Sequence, residues 1–168
     1  TACVVSITST TSVEGYSIFG QQYQQEVPTC GTGFIVGQND KELLLATNNH
    51  VVEDATAIQV TFVNNETAEA VVKGTDAQAD LAVVAVSLED INEDTLDAIK
   101  VAVLGDSDNV KVGQMAVAIG NAQGMGQSVT VGYISAKDRQ LSVPDSTGTS
   151  GKTMTFLQTD AAINGGNS

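Results

Sequence analysis

The stretch Ile58-Gln59-Val60-Thr61-Phe62-Val63 alternates apolar and polar residues from Ile58 to Phe62, and Asn64-Asn65 then turns the chain. A period of two puts Ile58, Val60 and Phe62 on one face of an extended segment, the signature of a half-buried strand. Short β-type runs recur on both sides of it. Upstream lie Val4-Val5-Ser6-Ile7, Gly33-Phe34-Ile35-Val36 and Leu43-Leu44-Leu45-Ala46, with Gln38-Asn39-Asp40 reading as a hairpin turn between the last two. Downstream lie Thr67 to Val72, Leu81 to Val86, Gln114 to Ile119, Ser128 to Ser135 and Met154 to Gln158. Val, Ile and Thr supply 49 of the 168 residues, and these β-branched side chains are stiff at χ1 and suited to strands. The pattern predicts an all-β fold of many short strands, a sandwich or barrels.

One segment departs from it. Asn92-Glu93-Asp94-Thr95-Leu96-Asp97-Ala98-Ile99-Lys100 reads as a short helix, with Asn92 as cap, acids in the first turn and Lys100 at the end. Lying near the middle of the chain, it is placed to join two β subdomains, roughly 1–88 and 101–168, through a connecting segment at 89–100. Two stretches read as long loops: the polar Ser9 to Thr29, and Val143 to Lys152, rich in Ser, Thr and Gly.

Composition excludes several functions. Seven basic against 20 acidic residues give a formal charge of −13. Such a surface repels phosphate backbones and anionic lipid headgroups, which argues against nucleic-acid binding and against docking on a membrane through a basic face. No apolar run approaches 18 residues, so no membrane span is expected in this segment. Thr1-Ala2-Cys3-Val4 shows no basic start followed by an apolar stretch, hence no signal peptide is expected in it. Two cysteines and one histidine cannot assemble a metal cluster at these spacings, and no metal or organic cofactor is called for. Cys3 and Cys30 allow one disulfide. If residues 3–8 pair with 32–37, however, the two thiols sit near opposite ends of the pair, beyond the roughly 7 Å Cα separation a disulfide allows.

Three places offer chemistry. His50, the only histidine, follows the apolar run ending at Ala46 and the polar Thr47-Asn48-Asn49. A lone His is more often structural, although a strand end is where a general base is held rigidly beside a cleft. Asp80 directly precedes Leu81-Ala82-Val83-Val84-Ala85-Val86. It reads either as a solvated strand-start acid or as the acceptor that orients an imidazole N–H. Asn164-Gly165-Gly166-Asn167-Ser168 reads either as a flexible tail or as glycines that aim backbone N–H groups at one point beside a nucleophile. Singly, each signal is weak. Their order, His then Asp about thirty residues on then Ser in a glycine turn, is that of the chymotrypsin triad.

The flanking residues resemble the HtrA (DegP/DegS-like) serine proteases. Thr47-Asn48-Asn49-His50-Val51-Val52 is similar to their histidine motif, and Ala79-Asp80-Leu81-Ala82-Val83-Val84 to their aspartate motif. Leu157 to Asn164, leading into Gly166-Asn167-Ser168, is similar to their serine motif. Val117-Ala118-Ile119-Gly120-Asn121 resembles the opening of their second barrel, and Gly31-Thr32-Gly33-Phe34 the opening of the strand before the histidine. The resemblance runs from about residue 3 to Ser168. It implies a trypsin-like double β-barrel of two six-stranded barrels with the active site between them. It implies His50 as general base, Asp80 as its orienting carboxylate, Ser168 as nucleophile, and the N–H groups of Gly166 and Ser168 as oxyanion hole. It further implies an endopeptidase of unfolded or misfolded polypeptides, commonly a homotrimer, acting outside the cytoplasm and often carrying an N-terminal anchor and PDZ domains. A non-catalytic peptide-binding or chaperone-like module on the same fold is the alternative.

Two departures stand out. Gly165 occupies a position where the family often has Pro or Arg, adding backbone freedom to the serine turn. Asn167 stands where many trypsin-like enzymes carry Asp, so activation by an N-terminal amine pairing with that acid is not expected. A domain of this type needs about 200 residues or more, so a 168-residue chain ending at Ser168 is expected to be a fragment with an incomplete second barrel and little or no activity of its own.

Overall fold

The computed structural model describes residues 2–16, 22–120, 127–144 and 151–163. Seven strands form the first sheet: β1 (Val4–Tyr16), β2 (Gln22–Gln38), β3 (Glu42–Thr47), β4 (Ala55–Thr61), β5 (Thr67–Glu69), β6 (Val71–Asp76) and β7 (Leu81–Ser87). Their order is β5-β4-β1-β2-β3-β7-β6, antiparallel throughout. The two edge strands, β5 and β6, are joined by the single residue Ala70, whose N–H donates to Ile58 O at 2.9 Å. A flat sheet cannot bring its opposite edges within one residue, so this one curls. β5 and β6 together stand where the sequence predicts one strand over Thr67 to Val72. The chain bends at Ala70 because its two halves pair with opposite edges of the sheet.

The alternation seen in the sequence from Ile58 to Phe62 is a packing code: Ile58, Val60 and Phe62 are buried while Gln59 is exposed. In β3, Leu43, Leu45 and Thr47 point inward, where Leu43 and Leu45 meet Ile7, Ile35, Val60, Val84 and Val86, all of them fully buried. The β2–β3 turn forms as expected: Asn39 Oδ1 accepts the N–H groups of Lys41 and Glu42, both at 2.8 Å. So does the Asn64-Asn65 turn, with Asn65 in the left-handed region at φ 67°. β4 begins earlier than its alternation suggests, at Ala55, and ends at Thr61, leaving Phe62 and Val63 in the turn.

The expected loop over Ser9 to Thr29 is corrected by the structure. β1 runs on to Tyr16 and β2 starts at Gln22, in register from Val4↔Phe34 to Tyr16↔Gln22. Beyond Thr11, β1 loses contact with β4, and the rest is a two-stranded ribbon. Among the ribbon's described side chains, at 12–14 and 25–30, none is buried, so no apolar alternation betrays it, and its polar sequence imitates a loop. Residues 17–21 lie outside the described residues. The same register settles the cysteines. Cys30 pairs with Thr8, and Cys3 lies five residues back, about 17 Å along the strand. Both thiols are free.

A one-turn helix, α1 (Asn49–Val52), lies between β3 and β4, and after β7 a 3₁₀ turn (Leu88–Asp90) leads to helix α2 (Glu93–Ala98). Asn92 caps α2 by accepting the Thr95 N–H at 2.8 Å, as its sequence predicts. Buried Thr95 in turn receives Asn64 Nδ2 at 2.8 Å, tying the helix to the β4–β5 turn. The chain then runs past the ends of β1 and β2, where Lys100 N–H donates to Ala2 O and Ala102 N–H to Ile35 O.

A second antiparallel sheet follows, of order β10-β9-β8, from β8 (Met115–Gly120), β9 (Ser128–Pro144) and β10 (Gly151–Thr159). β9 and β10 are longer than their sequence patterns suggest and narrow the expected Val143 to Lys152 loop; residues 145–150 lie outside the described residues. Cross-strand pairs Met115↔Tyr133 and Val117↔Val131 form an apolar face that stays half exposed. The fold is mostly β, a curled first sheet followed by a second, as the sequence predicts.

Candidate active site

β3 and β7 are antiparallel neighbours, with Thr47 opposite Ala82. The end of β3 therefore lies beside the start of β7. That is why His50 and Asp80, thirty residues apart in sequence, meet. Thr47 anchors the strand end by donating from Oγ1 to Thr32 O at 2.8 Å. α1 follows at once. Its Asn49, Val51 and Val52 are buried and pin the turn, so His50 alone faces out. Ser9, buried in β1, donates from Oγ to Val51 O and holds the far end of the turn.

Asp80 enters from the other side. Asp76 Oδ1 accepts the N–H groups of Gln78 and Ala79 at 2.9 and 3.0 Å, shaping the turn before β7. Asp80 then takes φ 52°, a left-handed backbone that costs a non-glycine residue about 1–2 kcal/mol. This bend directs the carboxylate back at α1. Oδ2 lies 2.8 Å from His50 Nδ1, and Oδ1 accepts the His50 backbone N–H at 3.0 Å. Asn48 Nδ2 donates to Asp80 O at 2.9 Å. Both side chains of the pair are about half exposed, at 52% and 43%.

The chemistry follows from the geometry. A carboxylate on Nδ1 favours the tautomer with the proton on that nitrogen, leaving the Nε2 lone pair free to accept another. Of the residues the sequence nominates, the structure brings His50 and Asp80 together; Gly166 and Ser168 lie outside the described residues. The described part of the serine segment is anchored on β9. Asp160 Oδ1 accepts the Tyr133 N–H at 2.6 Å, and Thr130 Oγ1 donates to Ala162 O at 2.8 Å. Sequence reasoning missed Asn48, Ser9 and Asp160. Asn48 and Asp160 sit inside the quoted motifs, but a polar residue beside a candidate catalytic group carries no sign of its hydrogen-bond partner. Ser9 was hidden in the supposed loop. Among the described residues, no three His, Cys, Asp or Glu side chains are arranged to hold a metal ion.

A family model for the trypsin-like peptidase domain matches residues 31–168, most of the chain. The chain belongs to the trypsin-like peptidase family. Within that family, this peptidase domain is 42% identical over 141 residues to HhoA of Synechocystis sp., a protein whose name places it among serine proteases. That match covers 82% of the chain and 32% of the relative. It is 41% identical over 156 residues to a Chlamydia pneumoniae protein named "Probable periplasmic serine endoprotease DegP-like", covering 89% of the chain and 28% of the relative. Among solved structures, the domain matches the HtrA-type protease AlgW with a decapeptide at a TM-score of 0.71 and 30% identity. That match covers 99% of this chain and 50% of AlgW. The peptidase domain thus spans under a third of these curated relatives and half of the AlgW chain.

Proposed function

We propose that the protein is a serine endopeptidase acting on unfolded or extended polypeptides through a Ser168 acyl-enzyme. The observation that carries this reading is the carboxylate of Asp80 on Nδ1 of His50, at 2.8 Å, with its second oxygen on the same residue's backbone N–H. In this reading, Ser168 Oγ attacks the scissile carbonyl while His50 Nε2 takes its proton. The N–H groups of Gly166 and Ser168 receive the developing oxyanion. The amide C–N bond breaks, the leaving amine takes the proton from His50, and a water molecule repeats the sequence to release the acid. Asp80 holds the imidazole in its tautomer and stabilises the imidazolium without itself being protonated. The decapeptide bound to the similar AlgW supports a polypeptide substrate. The periplasmic names of relatives support an extracytoplasmic location. A homotrimer and an N-terminal anchor belong to this reading through the family resemblance alone. The intact His–Asp pair favours catalysis over a peptide-binding module that has lost it.

The test is labelling by a serine-directed fluorophosphonate, applied to this chain and to the chain extended to the length of its relatives. Labelling at Ser168 that disappears in His50→Ala is expected from the extended protein, with weaker labelling from the 168-residue chain. Labelling unaffected by His50→Ala, or an extended protein that does not label, refutes the assignment.

A further inference from the structure

Asn48 stands at the N-cap of α1 with extended backbone angles, φ −83° and ψ 147°. Asn is a preferred cap because its side-chain oxygen ordinarily accepts an N–H from the second or third helical residue. Here its side chain makes no such bond. The N–H of the second residue, His50, goes instead to Asp80 Oδ1, and that of the third, Val51, to the backbone oxygen of Asn48. The Asn48 amide reaches across to Asp80 O, 32 residues away in sequence. The two residues have exchanged duties. Asp80 caps the histidine turn from the neighbouring strand, and Asn48 holds the carbonyl of Asp80.

We propose that Asn48 is a positioning residue that locks Asp80 in its left-handed conformation, so that one carboxylate both caps the histidine turn and fixes the His50 tautomer. The inference rests on the His50–Asp80 reading above. Its physical basis is the conformation of Asp80. A non-glycine residue at φ 52° relaxes toward negative φ unless its surroundings hold it. The Asp76 turn holds the chain before Asp80, and pairing with β3 and β6 holds it from Leu81 onward. At Asp80 itself, the Asn48 amide restrains the carbonyl while His50 restrains the carboxylate. Releasing the carbonyl frees ψ of Asp80 and lets the carboxylate swing into solvent, to which it is already open. The far end of α1 stays fixed by Ser9, so the lost geometry falls on the Asp80 side.

His50 is the only histidine, so its ring nitrogens give a single unambiguous set of ¹⁵N resonances in this chain. Those shifts report directly which nitrogen carries the proton. The informative variants are Asn48→Ser and Asn48→Asp. Both residues cap helices as well as Asn does, but neither can donate to Asp80 O as the amide does: the carboxylate has no proton, and the serine hydroxyl is too short. A role confined to capping therefore survives both substitutions. Expected is a neutral ring mainly protonated on Nδ1 in the wild type, reverting in both variants to the Nε2–H preference of free imidazole, as in Asp80→Asn. Thermal melting of Asn48→Ser stays within a few degrees of wild type, which keeps the result readable if Asn48→Asp folds poorly. In the extended protein, Ser168 labelling by the fluorophosphonate falls about 10- to 100-fold in Asn48→Ser, the scale of a small misplacement at a reacting group. Retention of the wild-type tautomer in Asn48→Ser overturns the inference. So does a wild-type tautomer in Asp80→Asn, because the carboxylate would then not be setting it. The catalytic assignment fails separately, by labelling that survives His50→Ala.

Discussion

Gly132 of β9 lies directly beneath the segment that carries the chain toward Ser168. A Cβ placed on it sits 2.7 Å from Ala161 Cα, and closer still to Ala161 N and Asp160 Oδ1. Carbon atoms pack at about 3.5–4.0 Å, so in Gly132→Ala the Asp160–Ala161 backbone must retreat by about 1 Å. Backbone cannot rotate aside as a side-chain tip can. Among the hydrogen bonds that fix the segment there, three are made by Asp160 and Ala162: Tyr133 N–H to Asp160 Oδ1 at 2.6 Å, Asp160 N–H to Tyr133 O at 3.3 Å, and Thr130 Oγ1 to Ala162 O at 2.8 Å. At about 1 kcal/mol net apiece, breaking them destabilises the fold by about 3 kcal/mol. Alanine returns up to about 1 kcal/mol by restricting the unfolded chain. A net loss of about 2 kcal/mol is the expected outcome in equilibrium urea denaturation. Hydrogen exchange supplies the local test, because the Tyr133 amide bonded to Asp160 in the wild type should exchange faster in the variant. In the extended protein, a 1 Å displacement of this segment should slow fluorophosphonate labelling of Ser168 by about 100-fold. Stability within about 0.5 kcal/mol of wild type, with unchanged Tyr133 exchange, would refute the argument that this glycine seats the serine segment.

Asp80→Asn in the extended protein should lower turnover on the order of 10⁴-fold, the scale set by a wrongly held imidazole tautomer, with the melting curve nearly unchanged; peptide hydrolysis assays check it. Gly33→Ala should cost about 1–2 kcal/mol in urea denaturation, because its Cβ would lie 2.6 Å from Cδ1 of the fully buried Ile7 and 3.2 Å from Ala46 O. Combining it with Ile7→Val, which deletes that Cδ1, should cost less than the sum of the two single changes; strict additivity would show that the two side chains do not compete for this space. Ser9→Ala leaves the buried Val51 carbonyl without its hydroxyl donor and should lower stability by about 1–3 kcal/mol in the same assay.

The legible parts of this molecule are those where burial imposes a period. Ile58, Val60 and Phe62 announce their strand because one face is filled and the other is not. Asn92 announces its helix because a cap is a local bond, made three residues away. The ribbon of β1 and β2 is invisible for the opposite reason: backbone pairing runs along it beyond Thr11, and backbone pairing leaves no mark on composition. The bend at Ala70 was equally hidden, since it depends on which sheet edge each half finds. His50 and Asp80 were nominated by order and flanking motif, yet neither feature contains the reason they meet. That reason is the β3–β7 register, which sets Thr47 opposite Ala82, together with the left-handed turn at Asp80. The same distinction explains Asn48. Read locally, it is a helix cap, and a sequence offers no way to see that its amide is engaged 32 residues away. Residue types that favour one local role are therefore the places where a structure can differ most from its sequence. At this site the difference lies beside the one imidazole on which the proposed chemistry depends.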